Sequence, residues 1–224
     1  MVGRRAMALA LTVTALSGCA ATVDGTATWP GAVLGQALLT ESDFPAGVQY
    51  GRIPDQPGQP DGADGPGSML SRPQGCANAL TTVIKQSAEQ SGMLGPGSAA
   101  KYAVSYDGAR IVMTLLSWNL DLDALNAAAD RCAQFEAFFD PASEGIPMTT
   151  TALPGLADDA LAYQQTMTLG NSSSSVYMAF QNVDRHAVFG VAFPAVNPEI
   201  DAKAALPQTF LDVFSNQVNK LQAS

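Results

Sequence analysis

The chain is short of the residues from which active sites are usually built. Of 224 residues, three are cysteine and one, His186, is histidine. No two cysteines stand as Cys-x-x-Cys, the spacing that redox and zinc sites use, so neither is expected. A Ser-His-Asp arrangement would have to rest on His186, with Asp184 or Asp158 behind it. No Gly-x-Ser-x-Gly elbow is present to offer a serine. Basic residues are scarce, 11 against 20 acidic ones, and the formal charge is −9. A surface of that sign repels phosphate backbones, which argues against nucleic acid as a partner. It repels anionic headgroups too, so membrane contact must come from something other than the charge of the domain. No apolar run reaches the ~20 residues that a membrane-spanning helix needs.

What is present begins with an export pattern. Met1 to Arg5 is short and positive, with Arg4 and Arg5, and Ala6 to Leu16 is an uncharged apolar run. That is the length of a signal-peptide core. The run closes on Leu16-Ser17-Gly18-Cys19, which matches the bacterial lipobox: an aliphatic residue, two small ones, then cysteine. The small residues suit a peptidase cleft, and the thiol is where the diacylglycerol is attached. Residues 1–18 therefore read as a lipoprotein signal peptide, with Cys19 the lipidated mature N-terminus. Two or three acyl chains on one residue anchor stably, where one chain is marginal. Residues 19–36 are small, polar and Gly/Pro-bearing, and read as a flexible tether. Residues 37–224 read as one folded domain of adequate size for a core.

With Cys19 taken by lipid, Cys76 and Cys132 remain. An exported address permits a disulfide between them, the alternative being two free thiols. Periodicity predicts a helix over 75–90, with Cys76, Leu80, Val83, Ile84 and Ser87 on one face. A second and clearer helix is predicted over 121–139. Asp121 and Asp123 suit its N-terminal end, and its stripe is Leu122, Leu125, Ala129, Cys132, Phe135 and Phe139. A bridge would then staple two helices over a common core. Between them, strands over 101–106 and 110–118 flank Asp107-Gly108, a hairpin signal. The second is almost wholly apolar, as expected of a strand buried on both faces.

Elsewhere a short helix is expected over 37–42 and a first strand over 48–53. Residues 54–72 read as a long Pro/Gly/Asp-rich loop. The last third reads as strands over 146–153, 160–169, 176–181 and 186–193. Turns are expected at 171–175 and 182–185. Asn197 and Pro198 look like the cap and first residue of a final helix, interrupted at Pro207 and packed through Phe210, Val213, Phe214, Val218 and Leu221. Tight turns between late strands imply antiparallel pairing. The fold class is α+β, a mainly antiparallel sheet with helices packed on one face, in a single domain.

The lipobox and tether are followed by Leu38-Leu39-Thr40-Glu41-Ser42-Asp43-Phe44-Pro45-Ala46-Gly47. Next come a helix bearing Cys76, a hairpin ending near Trp118, a helix bearing Cys132, a late strand pair and a C-terminal helix. In this the chain resembles the mycobacterial and actinobacterial sensor-domain lipoproteins, which are similar to the extracellular domain of PknH-type serine/threonine kinases. The resemblance runs over roughly residues 37–222. It implies a twisted antiparallel sheet with helices and a cleft for an unidentified ligand. It also implies a disulfide role for Cys76 and Cys132. The kinase domain carries two disulfides, whereas this domain has cysteines for one. No catalytic residue comes with the resemblance.

Other candidates have plain explanations. Asp121-Leu122-Asp123 and Asp158-Asp159 are carboxylate pairs that could hold calcium, but both stand where solvated capping is expected. Trp118, Tyr102, Tyr106, Tyr163 and Tyr177 could line a cleft, though core packing explains them as well. No catalytic residue, metal site or cofactor is expected. The reading is a lipoprotein held on the extracytoplasmic face of the cell membrane by its acyl chains. Its domain is read as a non-catalytic binding or sensing module for a small-molecule, glycan or lipid ligand. A lipid or glycolipid carrier and an envelope hydrolase are the alternatives.

Overall fold

The computed structural model describes residues 30–54, 69–92, 95 and 97–224. The signal peptide, Cys19, most of the tether and residues 55–68 of the long loop lie outside them. Among the described residues nine strands form one open sheet. They are β1 (Gln49–Ile53), β2 (Leu70–Arg72), β3 (Ala99–Tyr106), β4 (Gly108–Leu116) and β5 (Gln134–Phe138). They continue as β6 (Ile146–Ala152), β7 (Ala160–Leu169), β8 (Ser172–Val183) and β9 (His186–Ala195). The order is β1-β3-β4-β9-β8-β7-β6-β5-β2, every neighbouring pair antiparallel. The helices are α1 (Pro30–Ala37), α2 (Ala79–Ser91), α3 (Leu122–Arg131) and α4 (Gln208–Gln222). The class expected from sequence, α+β on an antiparallel sheet in one domain, is the one observed.

The layering differs from the expected one. Alternate residues of each strand point to opposite faces, and here both faces are buried under helices. On one face Tyr102, Val104, Ile111, Met113, Ala179 and Val188 pack with Leu34 of α1 and with Phe210, Val213 and Phe214 of α4. On the other, Leu116, Phe180, Phe189 and Tyr163 pack with Leu80 and Ile84 of α2 and Leu125 of α3. These are called the α4 face and the α3 face below. The nearly continuous apolar run of β4 is what two-sided burial demands. A single helical layer would have left half of it in water.

Helix α1 lies within the stretch read as tether. Leu34, Ala37 and Leu38 recur at helical spacing and are buried. A proline at the first helical position is tolerated because its missing N–H would be unsatisfied there anyway. The helix expected over 37–42 is instead the end of α1 and a 3-10 turn at Glu41–Asp43. The helix expected over 121–139 stops at Arg131, with Cys132 as its C-cap. Residues 134–138 then form β5 between β2 and β6. Phe135 fits either period. Ala137, two residues along the same strand, is also buried while Phe139 is 75% exposed, so pairing with β6 outweighs the helical stripe. Similarly Asn197 opens no helix. Its Oδ1 accepts the Glu199 N–H at 3.1 Å, closing a turn, and α4 begins only after Pro207.

The hairpin at Asp107-Gly108 is as expected, with Tyr106 opposite Ala109. It is also a docking point for the segment before α4. Asp107 accepts from the Asn197 N–H at 2.9 Å and from Lys203 Nζ at 2.6 Å. Gly108 has φ +110°, and a Cβ there would lie 2.6 Å from the Ala204 carbonyl oxygen. Both the left-handed backbone and the close approach require glycine. Gly190 in β9 serves packing instead, since a Cβ there would lie 2.9 Å from Phe210 of α4.

Candidate ligand-binding face

The two cysteines meet. Cys76 and Cys132 form a disulfide with Cα atoms 5.4 Å apart, closing a separation of 56 residues. Neither lies inside a helix as sequence periodicity suggested. Cys76 is buried in the turn before α2, where its N–H donates to Ser71 Oγ at 2.8 Å. The bridge therefore ties the entry of α2 to the exit of α3, and these two helices form the lid of the α3 face.

That lid is partial. Strand register sets side chains in rows across the α3 face. The row Thr114–Phe189–Phe180–Leu161 lies at the end where α2 and α3 pack. The next row is Ala103–Val112–Val191–Met178–Tyr163. Beyond it stands Ser105–Arg110–Phe193, with Val176 and Gln165 paired on β8 and β7. Tyr163 and Met178 belong to the helix-covered core and Val176 and Val191 pack against its margin, but Val112 and Phe193 lie outside both buried clusters. Val112, Val176 and Val191 are half-buried, Phe193 is 39% exposed and Arg110 is exposed. The result is an apolar shelf on β4, β9 and β8 that no described helix covers. An apolar surface left open on a soluble domain commonly marks a site of interaction.

The charge of the shelf runs against that of the chain. Strands β1, β3, β4, β7, β8 and β9 carry no Asp or Glu. Lys101 of β3 and Arg110 of β4 both point to the α3 face, two rows apart. Lys101 is buried, and among the described residues Arg110 makes no ion pair. Sequence reasoning missed this face. Its residues are scattered over five strands, and only the register brings them together. The one readable signal was the absence of carboxylates from strands of a protein with charge −9.

The other sequence candidates resolve individually. Trp118, Tyr102, Tyr106, Tyr163 and Tyr177 are all buried, so they are core residues. Tyr102 meets Phe44 and Tyr50 in tilted ring contacts, and its hydroxyl has no partner among the described residues; burial pushes its pKa upward. Asp121 caps α3, accepting the Ala124 N–H at 2.9 Å, and Asp159 accepts from Gln181 Nε2 at 2.9 Å. No cluster of metal-ligating side chains occurs among the described residues. His186 stands at the start of β9 opposite Val183. Burial and then Arg185 lower its pKa, favouring the neutral ring, and no serine or carboxylate is hydrogen-bonded to it among the described residues. An open trough of about 580 Å³ lies over Thr40 to Val48, and a smaller one of about 190 Å³ lies between α4 and residues 156–159. No described helix is long and apolar enough to cross a membrane.

No protein-family model matches the chain, and no curated protein does. Solved structures do. An uncharacterized protein from Mycobacterium smegmatis (the Rv0999 ortholog) superposes with a TM-score of 0.51 at 14% identity, over 84% of this chain and 96% of that one. The extracellular domain of PknH from Mycobacterium tuberculosis gives a TM-score of 0.49 at 12% identity, over 89% of this chain and all of that one. At such identity what the chain shares with the M. smegmatis protein is its fold.

Proposed function

We propose that the chain is an exported lipoprotein, anchored through acylated Cys19 on the extracytoplasmic face of the cell membrane, whose domain is a non-catalytic ligand-binding module. The observation that carries the binding role is the open apolar shelf of the α3 face. A solvated apolar face is retained at a cost in solubility unless something occupies it. The export signal and lipobox support the address. The Cys76–Cys132 disulfide fits an oxidising compartment and would be unusual in a reducing one. Sensing follows if occupancy of the shelf changes how α2 and α3 sit on it.

Two measurements test this reading. Growth with an alkyne-tagged fatty acid should label the protein, and Cys19→Ala should abolish the label and release the protein from membranes. Labelling of the variant would refute the anchor. A thermal-shift panel of envelope lipids and cell-wall fragments should contain compounds that raise Tm for the wild-type chain and not for Val191→Glu. A panel that never moves Tm would refute the binding role.

A further inference from the structure

The geometry points to the class of ligand: the shelf on the α3 face takes a single-chain anionic amphiphile, its alkyl chain lying along Val112, Val191 and Val176 and its acidic head on Arg110. This deepens the binding role proposed above and rests on it.

Three features converge. The shelf is apolar across three adjacent strands. Strands lie about 4.8 Å apart, so Val112, Val191 and Val176 on three successive strands span about 10 Å, which seats roughly the head-proximal half of a sixteen-carbon chain. At the β4 side of that line, one residue pair further along the strand, stands Arg110, exposed and without an ion-pair partner among the described residues. A guanidinium at the rim of an apolar surface offers a carboxylate or phosphate a two-pronged contact. Lastly, the strands that build the shelf carry no carboxylate, while the chain as a whole is strongly acidic. An anion is repelled by the protein in general and is accepted where the shelf strands supply Arg110 and no carboxylate. A neutral or cationic amphiphile would gain nothing at Arg110. A flat membrane surface would have to meet Arg110 and the valines together, past the helices that rise beside them.

The test uses the purified full-length chain, palmitate held below its critical micelle concentration, and palmityl alcohol as the uncharged probe of the same chain length. Palmitate should bind one to one, and palmityl alcohol at least about tenfold more weakly. Arg110→Gln, at an exposed position, should weaken palmitate about tenfold and leave the alcohol unchanged. Val191→Glu should abolish both, with circular dichroism showing the variant folded. Palmitate that fails to bind, or that binds both variants as tightly as wild type, overturns the inference. Binding to phosphatidylglycerol vesicles without binding to monomeric palmitate overturns it too, in favour of a membrane surface. Should palmitate fail while another compound raises Tm in a Val191-dependent way, the ligand class falls and the binding role stands.

Discussion

Gln217 shows how much one buried polar residue can organise. It is fully buried on the packing face of α4, between Phe214 and Val218. Its Nε2 donates to the Ala37 carbonyl at 2.8 Å, and its Oε1 accepts the Leu39 N–H at 3.0 Å. Ala37 ends α1 and Leu39 lies just past it, where no helix partner exists for these groups. Gln217→Leu keeps the bulk but orphans both, and should cost about 1–3 kcal/mol in chemical denaturation. The position was readable as lying on the apolar stripe of α4, but its partners, nearly the whole chain away, were not. Asp43 works nearby at the surface. Its carboxylate accepts from Lys220 Nζ at 2.8 Å and from the Thr40 N–H at 2.6 Å. These, Lys220 foremost, lower its pKa from 3.8 to about 2. A depressed acid pKa stabilises the fold above the unfolded value and loses that contribution as pH falls through the folded one. Asp43→Asn should therefore flatten the acid limb of stability between about pH 4 and pH 2. Both side chains are about a third exposed, so solvent holds the effect under about 1 kcal/mol.

At the level of elements, the disulfide makes the strongest quantitative statement. Closing 56 residues restricts the unfolded chain, worth about 4 kcal/mol by the loop-entropy estimate. Cys76→Ser with Cys132→Ser should lower Tm markedly, and a reducing agent should do the same to wild type. An unaltered Tm would mean that the helix pair is held by packing alone. The elements that periodicity found well were those with one uninterrupted signal: β3, β4 and their Asp-Gly turn, β7, and α4 past Pro207. Those it misjudged carried a double signal. Phe135 satisfies a helical stripe and a strand alternation at once, and only the neighbouring strands β2 and β6 decide between them. Leu34 and Ala37 were masked by the Pro30, Gly31 and Gly35 around them, which resemble linker chemistry. Ser172 to Ser175 look like a turn, yet they extend β8 opposite β7, with Gly170 and Asn171 making the turn.

The whole molecule is a sheet clad on both sides but unequally. Antiparallel pairing was legible from the tight turns. The two helical layers were not, because nothing local says which side of the sheet a helix will choose. The candidate site was illegible for the same reason, since it is a gap between packed layers and not a motif. The α4 face, by contrast, joins the two ends of the domain. Gln217 and Lys220 of the last helix hold Ala37, Leu39 and Asp43 near the first. Under the anchoring proposed at Cys19, a tug from the lipid would reach α1 and pass straight into α4. Helix α4 packs on β8 and β9, two of the strands that carry the open shelf, so swaying of the molecule on its leash would bear on the shelf from behind.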